Sequence, residues 1–62
     1  MIKFKDLLEI TGRGTNVKIG YENSNGFFYT GELKDAPKID GDYEVYNLYV
    51  FTDEDALTII LN

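Results

Sequence analysis

The apolar positions of this chain follow two rhythms. Phe4, Leu7, Leu8 and Thr11 recur at i, i+3, i+4 and i+7, which is one stripe of a helix. The spacing predicts a short helix from Lys3 to Thr11 with Phe4, Leu7 and Leu8 facing inward. Gly12 follows where a left-handed cap residue would stand. No Ser, Thr, Asp or Asn precedes the helix as an N-cap. From residue 17 the period becomes two. Val17, Ile19 and Tyr21 alternate with Lys18, Gly20 and Glu22, and Phe27 to Leu33 forms the next strand. Asn25-Gly26 between them is a hairpin signal. A two-residue loop would set Ile19 opposite Glu32. A three-residue loop, Ser24-Asn25-Gly26, sets Tyr21 opposite Tyr29, Ile19 opposite Gly31 and Val17 opposite Leu33. That register keeps one face apolar and puts Gly26 where a bulge needs positive φ. Phe28 and Thr30 then point to the other face.

Lys34 to Asp42 breaks the rhythm with Pro37 and Gly41, and reads as a loop or single helical turn crossing between hairpins. Tyr43 to Phe51 and Leu57 to Leu61 form the second hairpin. A four-residue loop sets Val50 opposite Leu57, Leu48 opposite Ile59 and Tyr46 opposite Leu61. This face is apolar and is expected against the helix. The opposite face carries Asn47, Tyr49, Phe51, Thr58 and Ile60, and is also largely apolar. The expected architecture is α+β: one N-terminal helix on a four-stranded antiparallel sheet made of two hairpins. A small SH3-like barrel is the alternative. One helix covers one face, so the sheet has a face left over.

The length changes the picture next. Sixty-two residues allow a single domain, 1–62. A chain this short buries only about 60% of its unfolded surface and is marginal unless something reinforces it. The chain has no cysteine and no histidine. Disulfides, and zinc, haem or iron–sulfur sites built on those ligands, are therefore excluded. So are a cysteine nucleophile and a histidine base. Oligomerisation is the reinforcement that remains, and it agrees with the spare face. The start has no apolar signal region, and no apolar run approaches the roughly 20 residues of a membrane span. A soluble cytoplasmic protein without membrane contact is expected.

Net charge is −5, distributed as +1 over residues 1–31 and −6 over residues 32–62. Six scattered basic residues in a negative field argue against direct nucleic-acid binding. The candidate acidic surface is Asp40, Asp42, Glu44, Asp53, Glu54 and Asp55. Asp40, Asp42 and Glu44 open like a calcium loop, but Val45 and Phe51 stand where that loop needs Gly and Glu. Asp53 to Asp55 read as a hairpin tip that discourages edge aggregation. The G-x-G at Gly12-Arg13-Gly14 lies after a helix rather than before one, the wrong geometry for phosphate. No metal or cofactor is expected. No nucleophile has a base beside it, and a domain this thin seldom encloses an enzyme pocket, so an enzyme is not expected.

Nine of the residues are aromatic. Tyr21, Phe27, Tyr29 and Tyr46 are assigned to the helix-side core. Phe28, Tyr49 and Phe51, with Ile60, Thr30 and Asn47, are assigned to the second face as a partner interface. Those three aromatics and Ile60 would present roughly 400–700 Å², against about 300–600 Å² for the largest patch of a typical monomer. A protein partner or a second copy is the expected occupant.

The opening Lys5-Asp6-Leu7-Leu8-Glu9, the strand Val17-Lys18-Ile19, the segment Tyr29 to Pro37 and the closing acidic hairpin carry a resemblance. In layout the chain resembles a family of small uncharacterised proteins of phages and mobile elements of low-GC Gram-positive bacteria. The resemblance implies an αββ–ββ fold and no known activity. Some small acidic phage proteins inhibit host enzymes by imitating nucleic acid. The resemblance therefore adds an alternative to a self-associating interaction module, namely an acidic inhibitor occupying a nucleic-acid-binding groove of a host protein.

Overall fold

The two most deeply buried strands occupy the middle of the sheet. The computed structural model describes residues 2–50 and 55–62. Its elements are helix α1 (Phe4–Ile10), strands β1 (Asn16–Tyr21) and β2 (Tyr29–Glu32), a 3-10 turn (Leu33–Asp35), and strands β3 (Val45–Val50) and β4 (Leu57–Leu61). The layout is α+β, with one short helix and a four-stranded sheet in the order β2-β1-β4-β3. Each hairpin is antiparallel, but β1 and β4 run parallel at the centre, with Val17 beside Leu57 and Ile19 beside Ile59. The sheet is therefore mixed rather than wholly antiparallel. This order puts β1 and β4 inside, where Val17, Ile19, Ile59 and Leu61 have no exposed surface. It leaves β2, with its Thr, Gly and Glu, at a rim.

The helix lacks a side-chain N-cap, and the crossing segment substitutes for one. Phe4 N–H donates to the Tyr43 carbonyl at 2.8 Å, and Lys5 N–H donates to the Gly41 carbonyl at 3.0 Å. Two of the four orphan amides of the first turn are thus satisfied from outside the helix. Asp6 Oδ2 reaches back to accept from Lys3 N–H. At the other end Thr11 is extended, and its hydroxyl donates to the Leu7 carbonyl at 2.6 Å. Gly12 does not take the left-handed conformation expected of it. Phe4 and Leu7 are buried as predicted, whereas Leu8 is exposed at the rim of a shallow groove with Leu33, Ala36 and Ile39.

The crossing segment joins the helix side of the sheet. Leu33 is buried there, and Ala36 and Ile39 pack against the same core. Helix and crossing segment therefore form one layer on one face.

The first hairpin departs from the expected register by two residues. Ile19 pairs with Tyr29 and Val17 with Gly31. A shift of two preserves which side chains share a face, so the apolar pattern is satisfied equally well. The loop grows to span 22–28, with Gly26 at φ +84° as its turn requires. The second hairpin keeps Val50 opposite Leu57 and Leu48 opposite Ile59. A bulge at Tyr46 then sets Val45, not Tyr46, opposite Leu61.

Candidate functional site

The face away from the helix is built from the alternate positions of every strand. Lys18 and Gly20 come from β1, Thr30 from β2, Asn47 and Tyr49 from β3, and Thr58 and Ile60 from β4. Thr30 and Asn47 are exposed, and Tyr49 and Ile60 are half-buried. Four of the six side chains expected there are thus brought together. Phe51 lies outside the described residues.

Phe28 is a correction. The longer loop places it before β2, off the second face. It stacks on Tyr21 at 5.0 Å between ring centroids, and Tyr21 in turn meets Tyr43 at 5.6 Å. Tyr21 packs against the helix-side core, and burial raises its hydroxyl pKa, with Tyr43 adding to the effect. Tyr29 also stays on the core side, where its hydroxyl donates to the Glu32 carbonyl.

Phe27 takes the place expected for Phe28. It folds onto β1 at Gly20, where a Cβ would lie 2.7 Å from the Gly26 carbonyl oxygen and 3.2 Å from the Phe27 ring. Only glycine allows that approach. Lys18 Nζ lies 5.6 Å from the Phe27 ring centroid, within cation–π range. Tyr46 is the second residue that pattern reading missed, because the bulge turns it onto this face. Phe27, Tyr46, Tyr49 and Ile60 line an open groove of about 300 Å³ with Tyr21, Asn47 and the 22–26 turn. Gly20 was the signal for Phe27, since a missing side chain in a strand invites an aromatic from a neighbouring loop. No residue type marks the bulge at Tyr46.

Thr58 lies on the same face between Lys18 and Tyr49, wholly buried. Among the described residues its Oγ1 has no hydrogen-bond partner. A buried orphan hydroxyl is costly.

Among the described residues the acidic positions fall in two places. Asp40, Asp42 and Glu44 are exposed around the crossing turn, and Asp55 stands at the far end of the second hairpin. Asp53 and Glu54 lie outside the described residues. Asp40 Oδ1 accepts from Asp42 N–H at 2.9 Å. Asp42 Oδ1 in turn meets Lys5 Nζ at 3.3 Å and Lys3 Nζ at 3.7 Å. The Lys5 hydrogen bond and charge, with Lys3 behind them, hold the Asp42 carboxyl below its ordinary value. Two lysines thus offset part of the negative field at this end. Among the described residues no three carboxylates converge as metal ligands, and no helix is long and apolar enough to cross a membrane.

Among the described residues the chain is a small α+β sheet protein with its helix and crossing segment on one face. Comparison with protein-family models, with curated proteins and with solved structures gave no significant match.

Proposed function

We propose that this chain is a non-enzymatic protein–protein interaction or regulatory module that self-associates, with the open sheet face as its contact surface. One observation carries the reading. The aromatic groove of Phe27, Tyr46, Tyr49 and Ile60 sits on the face opposite the helix and crossing segment. Aromatic side chains in a shallow groove with a polar rim of Glu22, Ser24 and Asn47 match the composition of interface cores. The negative charge disfavours nucleic acid as the occupant. The absence of cysteine supports a cytoplasmic setting, where disulfides have no role.

Sedimentation of the chain from low micromolar to near-millimolar concentration tests the reading. Association is expected, and the Phe27→Ser, Tyr49→Ser double variant is expected to weaken it by at least about tenfold, the loss of one good aromatic anchor. Circular dichroism checks that the variant remains folded. A wild type that stays monomeric throughout removes self-association. A variant that associates like wild type removes this face.

A further inference from the structure

The outer edge of β3 closes the sheet on one side, and its backbone polarity can be read from the neighbouring bonds. Asn62 N–H donates to the Glu44 carbonyl, so residue 62 of the last segment faces β3. Residues 60 and 58 share that direction, and they sit opposite Asn47 and Tyr49. Leu48 and Val50 therefore turn their amides outward. Val45 N–H also points outward and donates to the Ile2 carbonyl at 2.9 Å, so Ile2 and Lys3 cover the first residue of the edge. Past that point no described segment pairs with the outer side of β3. The outward Leu48 N–H is taken instead by Oδ1 of its neighbour Asn47, at 2.8 Å.

An open edge is ordinarily protected by a charge, a proline or a short length. Val45–Val50 is six residues long, with neither charge nor proline. Tyr46, Leu48 and Val50 are 55%, 42% and 59% exposed. Such an edge is complementary to an extended strand, and here it is complementary to itself. An antiparallel pair about a two-fold axis at Leu48 sets Leu48 opposite its own copy. Asn47 then faces Tyr49 of the second copy, both on the side away from the helix. No charge is brought against a like charge within the paired run.

We infer that two copies of this chain join through β3, edge to edge and antiparallel, into one continuous eight-stranded sheet. The inference rests on the self-association proposed above and names its seam. In forming the seam, the Leu48 N–H exchanges the Asn47 side chain for a backbone carbonyl of the second copy. Asn47 and Tyr49 are then brought opposite Tyr49 and Asn47 of the copy. The two aromatic grooves become neighbours on one surface of double width. The seam covers on the order of 300–400 Å² per copy, less than the roughly 800 Å² per partner of a standard interface. It belongs to the weak, concentration-dependent class. Each copy carries −5, so the pair tightens as salt screens the repulsion.

Sedimentation of the intact chain and of two exposed-site variants tests the seam. Val50→Lys places a charge in the ladder and is expected to weaken association by at least about tenfold, while circular dichroism stays unchanged. Asn47→Ala frees the Leu48 amide and is expected to tighten it by about fivefold, the value of one neutral hydrogen bond. A contact made by the open face alone predicts the opposite sign for Asn47→Ala, because Asn47 lies at its rim. Hydrogen exchange at the Leu48 and Val50 amides should slow as concentration rises. A dimer indifferent to Val50→Lys, or weakened by Asn47→Ala, overturns the seam and leaves self-association standing. A chain that remains monomeric overturns both.

Discussion

The two edges of this sheet are managed differently. β2 has four residues and ends in a 3-10 turn. Glu32 closes it, ion-paired to Lys34 at 3.4 Å. Backbone bonds from Leu33 and Lys34 to Thr15 and Arg13 carry the chain on along the connector. The short length, the turn and the charge discourage a further strand. β3 is longer and uncharged, and among the described residues it is covered only at its start, by Ile2 and Lys3. The contrast shows that edge protection belongs to each strand separately. A chain too small to hide both edges can leave one as a joint.

The largest effect that probes this contrast lies at the cross-strand pair Ile59 and Leu48. Ile59 is fully buried and Leu48 is not. Ile59→Ala is expected to cost about 3–4 kcal/mol of monomer stability, most of what a chain of this size holds. Leu48→Ala should cost about 1–1.5 kcal/mol in the monomer, because Leu48 is 42% exposed and keeps much of its surface in water. Chemical denaturation at low concentration measures both. Equal losses would mean that the β3 edge is as deeply packed as the centre, and the contrast between edges would fail.

A smaller effect of opposite sign is expected one position away. Thr58 is buried beside Tyr49 of β3 with its hydroxyl unpaired among the described residues. Thr58→Val keeps the shape and removes the orphan group. It should stabilise the fold by about 1 kcal/mol, a rise of some 4–8 °C in Tm. A loss of stability instead would show that Oγ1 has a hydrogen-bond partner in the folded chain.

What the sequence made legible follows from the same physics. The helix, the four strands and the outer part of the second hairpin register are readable, because apolar period reports which face is buried. Two features of the fold escape that signal. The slip of two residues between β1 and β2 moves no side chain to the other face, so Val17 and Ile19 are served equally by either register. The parallel pairing of β1 with β4 is a choice between hairpin orders, which local alternation does not address. Its cause is that Ile59 and Leu61 on one face and Ile60 on the other all need cover, and this favours a central position for β4. Of the site, Thr30, Asn47, Tyr49 and Ile60 are legible from alternation alone. Phe27 and Phe28 are not, since both belong to a loop whose length the register decides.

The smallest effect concerns the covered start of the β3 edge. Lys3 and Lys5 both reach Asp42, and through them the segment before the helix is held beside Glu44 and Val45. The Asp42 carboxyl is held below its ordinary value of 3.8, chiefly by the Lys5 hydrogen bond. A carboxyl depressed in the folded state contributes its stability in full above the unfolded value. That contribution is lost as pH falls through the folded value. Between about pH 5 and pH 2 the wild type should therefore lose slightly more stability than Asp42→Asn, and added salt should shrink the difference. Both groups of the pair are well exposed, so the gap is small. Amide exchange at Val45, whose N–H is held by the Ile2 carbonyl, reads the tether more sharply than the thermal midpoint does. If Val45 exchanges equally fast in wild type and Asp42→Asn at neutral pH, the lysines do not hold that segment. The uncovered part of the β3 edge would then extend to its first residue.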